Sequence, residues 1–378
     1  MKRNLHRAAT AGVAALLVGA LVLVNPFSAN AAPSDQALVV TGAGPGGAPH
    51  VRLFLANGQP TTTSFYAYNP AFSGGVDVAL ADLDGDGRQE IITAAGAGGA
   101  PHVRVFDLGG QPIDKWGFFA YAQTFTGGVH VGVSDVDGDG NQEIVTSAGA
   151  GGGPHVKVWE LAADVPTTMR SFFAYDQNFL GGVYATGIYN EDSNNTGIVT
   201  GAGPGGAPHV KVFNPAASAT TASFYAYGIT FSGGVNVEAI DVHDEGIDEI
   251  ITGPGAGGGP HVRYFTALGV ADGPGFFAYP NNFSGGVDVG AFFGNAETLE
   301  STLTAPMSGT APIYSWNEVH QLGAFNGLTP QPYGSFGGGI HIAGGFSSFD
   351  PANPSNTTTT SSTSTSTSTT STSTTVAT

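Results

Sequence analysis

Gly127-Gly128-Val129-His130-Val131-Gly132-Val133, followed by Asp135-Val136-Asp137-Gly138-Asp139-Gly140-Asn141-Gln142-Glu143 and then Ile144-Val145-Thr146, is the stretch on which the fold turns. Its first run alternates apolar residues and reads as a β-strand. An acidic, glycine-bearing loop interrupts it, and Glu143 opens a second strand that ends at Gly149 to Gly153. Pro154-His155-Val156-Lys157-Val158-Trp159 alternates again as a third strand, and the aromatic-rich Ser171-Phe172-Phe173-Ala174-Tyr175 makes a fourth.

The same block recurs along the chain. Pro-His-Val-Arg/Lys starts at Pro49, Pro101, Pro154, Pro208 and Pro260, and Pro312-Ile313-Tyr314 is a worn sixth copy. A period of about fifty residues marks a repeat architecture, and four antiparallel strands per repeat describe a propeller blade. First strands open at Gly74, Gly127, Gly181, Gly233, Gly285 and Gly338. Fourth strands carry Phe65 to Tyr68, Phe118 to Tyr121, Phe172 to Tyr175, Phe224 to Tyr227, Phe276 to Tyr279 and a degraded Leu322 to Phe325. Aromatic residues there are expected as core between blades. The N-terminal copy starts at Gln36-Ala37-Leu38-Val39-Val40, already a second strand, and the C-terminal copy stops after the first strand Gly338-Gly339-Ile340-His341-Ile342. Pairing these ends would close the ring and remove an open sheet edge. The expectation is an all-β, six-bladed β-propeller of four-stranded antiparallel blades over residues 32–350, closed by its N- and C-terminal strands.

Residues 1–31 read as a signal peptide. Lys2, Arg3 and Arg7 precede an apolar run from Ala8 to Val24, a break at Asn25-Pro26, and the small-residue cleavage site Ala29-Asn30-Ala31. No later stretch is long and apolar enough to span a bilayer, so a secreted, extracellular monomer is expected. Three of the 11 Lys+Arg leave with this segment and none of the 29 Asp+Glu does, so the remaining chain carries a net −21. That balance argues against nucleic-acid binding and favours divalent cations. Cysteine is absent, so packing and bound metal must supply what disulfides often do outside the cell. Residues 351–378 form a Ser/Thr-rich tail without core-forming residues and read as disordered.

The acidic loops between first and second strands carry the chemistry. Asp82, Asp84, Asp86 and Glu90 fall at positions 1, 3, 5 and 9 of one loop, and Asp135, Asp137, Asp139 and Glu143 repeat the pattern. The backbone carbonyl at position 7, Arg88 or Asn141, adds an uncharged oxygen. Hard oxygen ligands in this number suit Ca²⁺, and glycines between them permit the tight turn. A third loop keeps Asp241, Glu245 and Glu249 but places His243 at position 3, a weaker set. The loops at Asn190 to Asn194 and near Phe293-Gly294-Asn295 have lost the pattern.

These loops, set between strands, resemble those of FG-GAP (VCBS-type) repeats, which build the integrin alpha-subunit N-terminal propeller. The FG half falls at Phe72-Ser73, Phe125-Thr126, Phe179-Leu180, Phe231-Ser232 and Phe283-Ser284, with both letters kept only at Phe336-Gly337. The GAP half reads Gly42-Ala43-Gly44 and Gly201-Ala202-Gly203, with proline displaced to Pro45 and Pro204. The resemblance covers residues 35–350 and departs from integrins in blade number, since theirs have seven. It implies a calcium-stabilised adhesion or ligand-binding module with metal loops on one face and partners on the other.

Two further registers stand out. His50, His102, His155, His209 and His261 follow glycine-rich loops in equivalent places and are candidates either for repeated carbohydrate sites or for hydrogen bonds to glycine-loop carbonyls. Asp77, His130, Tyr184, Asn236, Asp288 and His341 match along the first strands and are expected to ring the channel. No nucleophile elbow, H-E-x-x-H or P-loop occurs. The function expected is a non-enzymatic, Ca²⁺-binding adhesion module for an extracellular protein or glycan. The alternatives are a lectin using the glycine-histidine loops, or a polysaccharide lyase or hydrolase dependent on His130 or His341.

Overall fold

The computed structural model describes residues 35–161, 165–189, 197–243, 247–292, 301–317 and 331–348. The signal segment, the tail, Glu245, the loops at 190–196 and 293–300, and the fourth strand expected at Leu322 to Phe325 lie outside these residues. Chain order runs β1 (Asp35–Ala43), β2 (His50–Leu55) and β3 (Pro60–Tyr66), then β4 (Val76–Ala81), β5 (Glu90–Ala95), β6 (His102–Phe106) and β7 (Phe118–Phe119). Next come β8 (Val129–Ser134), β9 (Glu143–Ala148), β10 (His155–Glu160) and β11 (Thr167–Phe173), then β12 (Val183–Ile188), β13 (Gly197–Ala202), β14 (His209–Phe213) and β15 (Thr220–Tyr225). The chain finishes with β16 (Val235–Ile240), β17 (Glu249–Pro254), β18 (His261–Phe265), β19 (Ala271–Phe277), β20 (Val287–Phe292), β21 (Ser301–Pro306), β22 (Tyr314–Trp316) and β23 (Ile340–Ser348).

They form six antiparallel sheets, the blades of a six-bladed β-propeller. Blade 1 is β23-β1-β2-β3; blades 2 to 5 are β4–β7, β8–β11, β12–β15 and β16–β19; blade 6 shows β20-β21-β22 among the described residues. The ring closes as the chain ends suggested: β23 pairs with β1 in unbroken register from Asp35↔Ser348 to Ala43↔Ile340. Each first strand starts at the residue that follows its glycine pair because the chain must reverse there. Gly234, at φ +85, takes a left-handed conformation that side chains disfavour, and a Cβ there would press on the backbone of Gly203 and Pro204 in blade 4.

Second strands are buried on both faces, as in Glu90–Ala95 and Glu143–Ala148, so they read as continuous apolar runs. The core lies between blades. Leu38, Val40, Val51 and Leu53 of blade 1 pack with Val76, Val78, Leu80 and Ile91 of blade 2, each large side chain contributing about 1.5–3 kcal/mol.

The aromatic strands divide by position. Their first aromatic packs on the next blade: Phe65 on Phe106, Phe118 on Trp159, Phe172 on Phe213, Phe224 on Phe265 and Phe276 on Trp316, with centroids 4.4–4.8 Å apart. The second aromatic instead faces solvent: Tyr66, Phe119, Phe173, Tyr225 and Phe277 are all exposed, which corrects the expectation of core for this position. The terminal tyrosine lies past the strand end and reaches across the blade boundary. Tyr68 Oη bonds the carbonyls of Thr93 and His102 in blade 2, Tyr175 those of Thr200 and His209 in blade 4, and Tyr227 those of Thr252 and His261 in blade 5. The basic residue of each Pro-His-Val-Arg/Lys copy answers in the other direction. Arg104 donates to Ala67 O, Lys157 to Ala120 O, Lys211 to Ala174 O and Arg263 to Ala226 O. The motif is therefore one half of an interblade clasp. At the closure Tyr333 donates to the His50 carbonyl and Arg52 to that of Pro332, so Tyr333 performs the role sought near Leu322 to Phe325.

Candidate metal centres and channel

In blade 2 the loop between β4 and β5 wraps around the Asp82 carboxylate. Its Oδ1 accepts the amides of Gly85 (2.8 Å) and Asp86 (3.2 Å), and its Oδ2 that of Gly87 (2.9 Å). Asp84 and Asp86 accept amides two residues ahead. Blade 3 repeats this: Asp135 takes Gly138 and Gly140, Asp137 takes Asp139, and Asp139 takes Asn141. The turns depend on Gly85, Gly87, Gly138 and Gly140, all at positive φ. Donor atoms of Asp82, Asp84 and Asp86 lie within 4.8 Å of one another, as do those of Asp135, Asp137 and Glu143.

The position-9 glutamates are anchored from below, Glu90 by the Leu83 amide (2.9 Å) and Glu143 by that of Val136 (2.7 Å). Burial, with the neighbouring aspartates, pushes Glu90 up to about 8 and Glu143 up to about 7. Burial and the charges of Asp86 and Asp82 also raise Asp84. Carboxylates held this close, with only hard oxygen donors, could hold a metal ion, which would relieve their repulsion. Of the expected sets, Asp82, Asp84 and Asp86 converge in blade 2 and Asp135, Asp137 and Glu143 in blade 3, whereas Glu90 and Asp139 stand outside these groups.

The third loop, in blade 5, is organised differently from expectation. Glu249 keeps the anchor from Val242 N (3.0 Å), yet the group that converges is His243, Glu249 and Asp272. Asp272, on β19, carried no signal in the loop pattern and was missed.

The five histidines open β2, β6, β10, β14 and β18. Their backbone amides bond carbonyls of the glycine-rich loops, as His155 N does Gly153 O and His261 N does Gly259 O, while the rings turn elsewhere: His50, His155 and His209 pair through Nε2 with Ser64, Ser171 and Ser223 of the adjacent outer strand at 2.8–2.9 Å. His261 Nε2 donates to the Pro274 carbonyl at 2.9 Å. The antiparallel register sets each histidine opposite the exposed aromatic, with the serine two residues before that aromatic as its diagonal neighbour. Each ring also lies against the exposed aromatic, as with His102 on Phe119 (4.6 Å) and His261 on Phe277 (4.7 Å). Burial, then the neighbouring Arg or Lys, lowers the pKa of His50, His102, His155 and His209, so these rings are neutral at neutral pH.

The first strands bring the six channel residues together. His130 Nδ1 lies 2.7 Å from Asp77 Oδ2, His341 Nδ1 lies 3.4 Å from Asp288 and 3.9 Å from Asp77, and Asn236 donates to Asp288. They line a cavity of about 470 Å³ that continues to the metal loops at Asp82 and Asp135. Burial opposes charge on His341, but Asp77 and Asp288 outweigh it and raise its pKa to about 9. Burial would raise Asp77, but His341 and His130 hold it below its usual value, whereas burial dominates at Asp288 and raises it.

No protein-family model matches this chain, and no curated protein sequence matches it. Among solved structures it is similar to the rhamnogalacturonan lyase YesW, at 13% identity over 75% of this chain and 63% of that one, TM-score 0.38. It is similar to a Bacillus licheniformis rhamnogalacturonan lyase, at 17% identity over 71% of this chain and 57% of that one, TM-score 0.39. Saccharomyces cerevisiae Sqt1 matches at 13% identity over 78% of this chain and 72% of its own, TM-score 0.43. The chain spans less than two thirds of either lyase, and identities this low transfer no activity or ligand to it. No helix among the described residues is long and apolar enough to cross a membrane.

Proposed function

We propose that this chain is an exported, calcium-stabilised propeller of the FG-GAP type that acts as a non-enzymatic binding module for an extracellular protein or glycan. The observation that carries the reading is the paired oxygen cage, Asp82/Asp84/Asp86 and Asp135/Asp137/Glu143, each within 4.8 Å and each on a first-to-second-strand loop. Filling such cages removes carboxylate repulsion and ties two hairpins at the loop end of the ring, leaving the opposite rim for contact. An ion that binds only the folded protein at a hundredfold excess over Kd stabilises it by roughly 3 kcal/mol. The test is thermal unfolding of the chain from residue 32 onward, with millimolar Ca²⁺ and with chelator. The midpoint rises with Ca²⁺ in the wild type, and Asp84→Asn/Asp137→Asn abolishes the rise. An unchanged midpoint in the wild type would sink the metal part of this reading.

A carbohydrate-binding reading is favoured by a separate observation, the five exposed aromatics each lying against a histidine ring. Such pairs join an apolar face to a polar tip, the combination that sugar rings require. A glycan array with wild type and with Phe119→Ser/Phe173→Ser separates it from protein adhesion. A polysaccharide-active enzyme would instead lose turnover in His130→Ala or His341→Ala.

A further inference from the structure

Blade 5 departs from its sister blades at two places that meet in space. Loop position 3, aspartate at Asp84 and Asp137, is His243. On the outer strand, the residue after the partner of the third-strand aromatic is Thr61 in blade 1 and Thr221 in blade 4, where each hydroxyl bonds its own blade's carbonyl. In blade 5 that residue is Asp272. His243 Nε2 and Asp272 Oδ2 approach to 2.7 Å.

The third member is Glu249, 7% exposed. One of its oxygens accepts the Val242 amide, which fixes the carboxylate beside His243 and Asp272. Donor atoms of His243, Glu249 and Asp272 all lie within 4.8 Å of one another. Ligands of a four-coordinate zinc sit about 2.0–2.2 Å from the ion, so small rotations of the two partly exposed side chains complete a facial set. Their side-chain exposures, 46% and 36%, leave room for water in the remaining position.

The geometry points to a divalent transition-metal site of the Zn²⁺ type formed by His243, Glu249 and Asp272, distinct from the all-oxygen cages of blades 2 and 3. An imidazole nitrogen with two carboxylates selects such ions over Ca²⁺, which takes oxygen ligands in larger number. The site draws on a loop and on the outer strand together, so its ion would pin β19 to the β16–β17 hairpin.

The test is titration of the full chain with Zn²⁺, and separately with Co²⁺ followed by visible absorption, in millimolar Ca²⁺ to fill the other loops. One equivalent of Zn²⁺ should bind, and Asp272→Asn and His243→Gln should each weaken it by more than about tenfold. Asp272→Asn keeps the side-chain shape, and circular dichroism confirms that both variants fold. Asp84→Asn/Asp137→Asn should leave zinc binding unchanged, which separates this site from the calcium reading. No zinc binding, displacement by Ca²⁺, or binding that survives both blade 5 variants would overturn the site, the last result placing zinc on the rim histidines.

Discussion

A tyrosine hydroxyl buried between two blades carries one proton and meets several acceptors, so its removal is felt on both sides of the boundary. Tyr175 Oη lies 2.6 Å from the His209 carbonyl and 3.0 Å from that of Thr200. Burial raises its pKa far above the phenol range, which keeps the proton in place as a donor. Tyr175→Phe deletes the donor while keeping the ring, and leaves buried carbonyls short of a partner. The expected loss is about 1–2 kcal/mol, read as a lower urea midpoint at unchanged slope. Tyr225→Phe is the matched control, because Tyr225 is an exposed ring stacked on His209, and its midpoint should not move. Equal effects in the two variants would show that the clasp does not hold the blades.

At the scale of elements, the ring depends on β23, a strand far in sequence from the blade it completes. Its Ile340 and Ile342 enter a core with Val39, Leu303 and Ala305, spanning blades 1 and 6. Ending the chain at residue 337 exposes the whole edge of β1 and opens that core. Such a truncation should elute as soluble aggregate in size-exclusion chromatography, and adding the 338–348 peptide should restore part of the monomer; a truncated chain that stays monomeric would refute strand closure. This pairing was legible beforehand, since Ile340-His341-Ile342 repeats the pattern of Val129-His130-Val131 and Gln36 to Val40 lacks a preceding strand. Tyr333 was not, because it stands three residues before Phe336 where Tyr279 stands four before Phe283, and one deletion breaks a register count without breaking the clasp. Asp272 escaped for another reason: it lies 29 residues from His243, and only strand pairing brings them together. The exposure of Phe119 and its equivalents was likewise hidden, since alternation shows that a strand has two faces but not which one a neighbour covers.

At the scale of the molecule, the six first strands deliver one polar side chain each to the centre, and the charge there is shared by no single blade. His341 on β23 faces Asp77 on β4 and Asp288 on β20, with His130 on β8 bonded to Asp77 and Tyr184 and Asn236 completing the ring. Because Asp77 and Asp288 raise His341 from 6.5 to about 9, folding takes up a proton in this interval. A raised histidine contributes its full stability below the unfolded value and loses it as pH climbs through the folded one. The window for this loss is therefore pH 6.5 to about 9. In acid the two carboxylates act in opposite directions. Lowered Asp77 loses its contribution as pH falls, whereas raised Asp288 is relieved by protonation, so the alkaline window reads His341 most directly. Buried Glu238 and Asp248, both raised to about 7 by burial, also make stability fall with rising pH, but they are present in wild type and variant alike. The measurement is urea unfolding of wild type and His341→Gln at pH 6, 7.5 and 9.5. The stability difference between the two should be largest at pH 6 and shrink steadily to pH 9.5. A difference that stays constant across this range would mean that His341 is not held as a cation between two carboxylates, and the centre of the ring would have to be held by packing alone.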